Sequence, residues 1–133
     1  MQIGGLGMKY EMTIEGPPRT KGNSPVAVAR GTRVLVLPSK NYRKWFKAAM
    51  AQLPLLVQQS GIREPLTGRV NVTAIWFRDR NSGDEDNFKK GLGDFLQKAG
   101  FVANDRQIHW AGECRLDKDS ERPRVEIVIE EAA

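Results

Sequence analysis

The sequence predicts one α+β domain built on a mixed β-sheet with two main helices, and three observations carry that expectation. Short alternating or all-apolar segments recur near both ends and in the middle of the chain, two longer stretches repeat apolar residues at helical spacing, and 133 residues are the size of one domain rather than two. A chain of this length buries enough surface to fold without disulfides or a structural metal. The hydrophobic fraction of 40% and charged fraction of 28% place it with globular proteins.

Residues 1–7 are expected to be a disordered extension of the single domain. Between Met8 and Glu15, Tyr10, Met12 and Ile14 alternate with Lys9, Glu11, Thr13 and Glu15, the period of a half-buried strand that Pro17-Pro18 ends. Arg19 to Ser24 reads as an exposed polar loop, and Val26–Val28 and Val34–Leu37 flank a turn as a short hairpin. Ser39 suits the N-cap of a helix over Lys40 to Gln59, with Tyr42, Trp45, Phe46, Ala49, Met50 and Leu53 on one side and Lys40, Arg43, Lys44 and Lys47 on the other. Pro54 should kink or interrupt that helix, and Ser60-Gly61 should close it. Arg69 to Phe77 is apolar on both sides, as in a central strand covered on two faces. A second helix is predicted over Asp86 to Ala99 with Gly100 at C′, then a strand near Gln107 to Leu116 and a last strand over Arg124 to Glu130.

Several function classes drop out on composition. One cysteine, Cys114, and one histidine, His109, make no disulfide scaffold or zinc cluster. No apolar run reaches the length of a membrane span, and residues 1–7 lack a basic segment followed by an apolar one, so a cytoplasmic protein is expected. The net charge of +5 is unevenly spread, with 11 basic and 3 acidic residues up to Arg69 and 10 basic and 13 acidic after it. A basic surface fits a polyanionic partner, since each cation set on a phosphate releases counterions. Arg19, Lys21, Arg43, Lys44 and Lys47 are the candidates for that contact.

Chemistry concentrates at Asp84-Glu85-Asp86-Asn87-Phe88-Lys89-Lys90, a loop-to-helix junction, with Asp105 nineteen residues after Asp86. Clustered carboxylates repel one another, and a cation such as Mg²⁺ relieves that cost with only a few oxygen ligands. Lys90 follows Asp86 by one helical turn and is placed to meet a phosphate. The plainer reading is that Asp84 and Asp86 cap the helix and that Asp86 and Lys90 form an ordinary surface pair. A calcium loop is excluded because Phe88 falls on a ligand position. A helix of about twelve residues is roughly 18 Å long. Asp105 therefore completes the site of its own chain only if residues 101–104 run back along that helix, and a partner subunit supplies it otherwise. His109 beside Trp110 reads as a packed histidine, Trp45 and Phe46 as core, and Gly91 and Gly93 as helix interior rather than a phosphate loop.

The residues Asp84-Glu85-Asp86-Asn87, Lys90, and the run Gln97-Lys98-Ala99-Gly100-Phe101-Val102-Ala103-Asn104-Asp105 through Ile108 resemble the RusA family of Holliday junction resolvases. That family carries a D-x-D-N motif, a lysine four residues after the second aspartate, a K-A-G-[FV] helix end and a downstream aspartate. The resemblance is fainter but colinear from Met8 to Ile129. It implies metal-binding and catalytic roles for Asp84, Asp86 and Asp105 and a catalytic role for Lys90. It further implies a homodimeric endonuclease that uses Mg²⁺ or Mn²⁺, and no small-molecule cofactor, to nick opposing strands of four-way junction DNA in recombination and repair. Glu85 stands where the family often has an apolar residue, and Arg19 to Ser24 departs from the family's P-x-x-N-x-x-[YW] stretch. Two other readings stay open: a less selective branched-DNA nuclease, and a non-enzymatic DNA-binding module whose acids serve only as caps.

Overall fold

The computed structural model describes residues 7–22, 26–31 and 33–132. The predicted extension, apart from Gly7, and the end of the polar loop at 23–24 lie outside these residues. The elements run β1 (Lys9–Glu15), β2 (Val26–Arg30), β3 (Arg33–Leu37), α1 (Lys40–Ala51), α2 (Leu53–Ser60), β4 (Val70–Arg78), α3 (Glu85–Lys98), a single 3₁₀ turn (Asp105–Gln107), β5 (Ile108–Trp110), β6 (Arg115–Lys118) and β7 (Arg124–Glu131). The main sheet is mixed and five-stranded, in the order β1-β7-β4-β5 with β6 also on β4. β7 pairs antiparallel with both β1 and β4, whereas β5 and β6 run parallel to β4. Among the described residues no helix is long and apolar enough to cross a membrane.

The helices lie on one face of this sheet. Val70, Val72, Ala74 and Trp76 of β4, Val125, Ile127 and Ile129 of β7, and Met12 and Ile14 of β1 are buried in one cluster with Tyr42, Trp45, Ala49, Leu56, Phe88, Leu92, Phe95 and Leu96. The two-sided covering expected for β4 is therefore corrected: Asn71, Thr73, Ile75 and Phe77 on its other face are only part-buried. A two-layer domain with all its helices on one side leaves that face to water. Phe77 is sheltered instead by its cross-strand partner Arg124, whose guanidinium lies 3.9 Å from the ring centre. His109 also stands exposed rather than packed.

Two predicted elements are divided. The first helix breaks at Gln52, just before Pro54 in the first turn of α2. The break frees the Gln52 side chain to take the N–H of Glu15 at 2.8 Å and to donate to its carbonyl at 2.8 Å, and Gln59 accepts from Thr13 N at 2.9 Å. Side-chain amides thus occupy the outer edge of β1, where another chain could otherwise pair. The strand expected over Gln107 to Leu116 is two short strands, because the chain leaves β4 after Trp110 and the Cys114 thiol fills the gap, accepting from Ala74 N and donating to Val72 O, both at 3.4 Å. Burial pushes that thiol's pKa up.

Helices α1 and α3 meet at a glycine. A Cβ on Gly91 would lie 2.7 Å from the ring of Tyr42, which is buried and whose hydroxyl donates to Gly91 O at 2.7 Å. Gly91→Ala gains about 1 kcal/mol of helix propensity but overpacks this contact, a cost of about 1–3 kcal/mol. A lowered urea midpoint is the expected result, and an unchanged or raised one would show that the helices slide apart freely.

Candidate active site

The loop from Asp79 to Gly83 carries the chain from the end of β4 into α3. It is held by Arg19, whose guanidinium donates twice to the Asp79 carboxylate, at 2.8 and 3.1 Å. This pairing keeps the Asp79 carboxyl below its usual pKa range. Gly83 makes the last turn at φ 91°, where a Cβ would strike Phe88 and the Thr20 methyl. Asp84 is the N-cap of α3: its carboxylate accepts from Asn87 N at 2.9 Å and from the Asn87 side-chain amide at 3.0 Å. Phe88 then anchors the first turn against Trp76, with ring centres 6.0 Å apart.

With Phe88 turned inward, the two lysines differ in their partners. Lys89 binds Glu85 at 2.8 Å, one turn back, which raises its pKa. Lys90 and Asp86 form no ion pair with each other or with any described residue, so the ordinary surface pair expected as the plainer reading is absent. Asp86, Lys90, Gly93 and Gln97 instead form one stripe along α3.

Asp105 arrives on that stripe from the far end. Gly100, at φ 85°, turns the chain, and Phe101 and Val102 bond back to Leu96 O at 2.9 and 3.3 Å. Leu66 clamps the returning segment through Phe101 O and Ala103 N, and Asn104 and Gln107 close a capping box around the 3₁₀ turn. The Asp105 N–H donates to the Gln97 side chain at 2.9 Å, and its Cβ lies 3.7 Å from where a Gly93 Cβ would stand. The return needs only half the helix, because Asp105 meets α3 at Gly93 rather than at its first turn. Asp86, Lys89, Lys90, Gly93, Asp105, Ile108 and Trp110 together line a cavity of about 360 Å³. An adjoining hollow of about 630 Å³ shares Lys90 and Asp105 and adds Lys21, Asn87 and Lys98.

The expected residues are thus brought together in part. Asp86, Lys90 and Asp105 share one cavity within a single chain, so Asp105 needs no partner subunit to reach it. Asp84 does not line this cavity, and among the described residues no three carboxylate, cysteine or histidine side chains converge as a ready-made metal cluster. Lys89, the residue before Lys90, lines the same cavity.

The DNA-contact candidates also divide. Arg19 is a part-buried strut on Asp79 rather than a free arm. Lys21 sits 3.7 Å from Asp94 in the basic hollow, while Arg43, Lys44 and Lys47 stand exposed on α1 and line neither cavity, Arg43 donating to the carbonyl of Pro38 at 3.1 Å. Sequence reasoning missed Gln97 and Gly93. The stripe spacing from Asp86 was the available signal.

A family model described as Endodeoxyribonuclease RusA matches residues 15–130. The chain belongs to the RusA family. It is accordingly an endodeoxyribonuclease of the Holliday junction resolvase type, and the α+β domain with its mixed sheet is the body that carries the activity. The RusA match covers every element except most of β1 and the end of β7, and so takes in the whole of the cavity lined by Asp86, Lys90 and Asp105. No curated protein matches the chain.

Proposed function

We propose that this RusA-family protein resolves four-way junctions by paired, divalent-metal-dependent nicks in DNA recombination and repair, acting as a homodimer. The observation that carries the reading is the meeting of Asp86, Asp105 and Lys90 in one cavity beside a basic hollow. Two carboxylates that carry no ion pair among the described residues suit Mg²⁺, which keeps several waters and needs few protein ligands. Mn²⁺ suits the same oxygen donors. Asp86 and Asp105 would hold the ion; when bound, it supplies the charge that activates water and stabilises the leaving oxygen. Asp84 supports them by capping the turn that carries Asp86.

The remaining steps belong to side chains. Lys90 places an ammonium on the non-bridging oxygens of the scissile phosphate and offsets charge that builds up at attack. The Gln97 side chain fixes the backbone of Asp105, while Ile108 and Trp110 form the apolar part of the cavity wall. Lys21 and Lys98 lead the strand toward the carboxylates.

Incubating the protein with a synthetic four-way junction, with Mg²⁺ and with a chelator, tests the proposal. Symmetric nicks that need the metal and survive an excess of linear duplex are expected. Nicks lost to the duplex competitor would leave a less selective nuclease, and no metal-dependent cleavage would overturn the reading. Two matched cuts require two sites, which a two-fold dimer provides. Light scattering should give twice the mass of one chain, and a monomer that persists on junction DNA would exclude paired nicking.

Lys44 and Lys47 test how far the DNA extends over α1. If both meet phosphates, changing both to Ala should lower the slope of log affinity against log salt by about 0.9 for each contact. An unchanged slope would leave this side of α1 clear of DNA.

A further inference from the structure

The hairpin of β2 and β3 stands apart from the main sheet: among the described residues its strands pair only with each other. We propose that it is a DNA-contacting finger whose outward face covers bases left unstacked at the branch point of a junction. The inference rests on the junction-resolving reading for its substrate and adds to it the surface that holds the branch point open.

The register sets Ala27 opposite Val36 and Ala29 opposite Val34, so these four side chains share one face of the ribbon. All four are exposed, Val34 at 69% and Val36 at 72%. On the other face Val28 and Leu37 are half-buried, so the body of the protein shelters one side of the ribbon and leaves the other open. A two-stranded hairpin is marginally stable by itself in water, and a contiguous apolar face left open on it points to a partner.

Two observations make that partner DNA. The first is charge. From Gly16 to Arg63 the chain holds nine lysines and arginines and no acidic residue, and Arg30 and Arg33 are opposite in register at the hairpin's turn, where Gly31 stands at φ 62°. A second copy of the same face would bring like charge to like, whereas a polyanion is attracted by all of it. The second is position. Val36 and Leu37 at the root of the hairpin line the same hollow as Lys90 and Asp105, so a strand that lays a phosphate at those residues runs past the ribbon. Strands of five residues reach about 17 Å, enough to cross a major groove about 12 Å wide. Alanine and valine offer no hydrogen bond to a base edge, and what they can cover is the apolar face of a base; apolar side chains set against a base step let it part. Such faces are open at a branch point and closed in an intact duplex. The finger therefore favours junctions over linear DNA.

The test uses a four-way junction carrying 2-aminopurine beside the branch point, without divalent metal so that no strand is cut. The full-length protein should brighten the probe in a saturable way, because 2-aminopurine fluoresces more when unstacked. Val34→Ser and Val36→Ser, made together, should weaken junction binding by about tenfold, weaken binding to linear duplex by less, and reduce the brightening at saturating protein. Both side chains are exposed, so the melting temperature should stay as it is, and the loss cannot be put down to misfolding. Unchanged brightening in this variant, or equal losses on junction and duplex, would overturn the finger while leaving metal-dependent resolution untouched. A variant that turns from dimer to monomer in light scattering without DNA would also overturn it, by assigning the face to a second copy. Brightening that depends on Val34 and Val36 in a protein that makes no metal-dependent nick would sink the resolvase reading and leave the finger standing.

Discussion

Asp86→Asn and Asp105→Asn should each lower junction cleavage by about a hundredfold or more, because each removes charge aimed at the reacting phosphate, while junction binding persists or tightens. Neither carboxylate makes an ion pair among the described residues, and the chain around Asp105 is held by its backbone N–H on Gln97. Asparagine fits both places, so melting curves should barely move. Near-normal cleavage by either pure variant would remove the metal-site reading. Asp84→Asn is more informative than Asp84→Ala, because asparagine is as good an N-cap as aspartate. A loss with Asp84→Asn would show that its charge acts directly, and retained activity would confine Asp84 to capping. Mixing Asp86→Asn with Asp105→Asn subunits should restore no working site, since Asp105 packs on Gly93 of the same α3 that carries Asp86. Recovered nicking in the mixture would mean that the sites are shared across the dimer.

The second large effect is expected at Lys90. Lys90→Ala should abolish turnover, and Lys89→Ala should change it little, although both lysines line the cavity. The difference lies in their partners. Lys89 is tied to Glu85 at 2.8 Å, a part-exposed pair on one helix worth about 0.3–0.5 kcal/mol. Lys90 has no such partner among the described residues and lines both the cavity that holds Asp86 and Asp105 and the adjoining hollow. Its ammonium is free to meet a phosphate. Single-turnover cleavage at saturating protein separates this from binding, and equal losses for the two variants would refute the assignment.

Local patterns were legible wherever a residue's role depends on its near neighbours. The alternation in β1 and β7, the Ser39 and Asp84 caps, the stop at Gly100 and the interruption near Pro54 all follow from backbone preference and side-chain period, and each is present, whereas β4 reads as two-sided in sequence and is one-sided in the fold. The motif Asp84 to Lys90 with Asp105 was legible too, and it was enough to indicate the family. What it left open was which of these side chains meet. That depended on where the returning segment after Gly100 crosses α3, which is set by the clamp on Leu66 and the seat of Asp105 beside Gly93 and Gln97. Tertiary contacts likewise made Arg19 a strut, because Asp79 lies sixty residues away in sequence and bonds to it only in the fold. Sequence by itself therefore determined the place of most elements, their caps and the family to which the motif belongs, since these rest on short-range periodicity and residue chemistry. Only the tertiary structure decided which charges are spent on the protein's own loops and which stay free for DNA, because that depends on contacts between segments far apart along the chain.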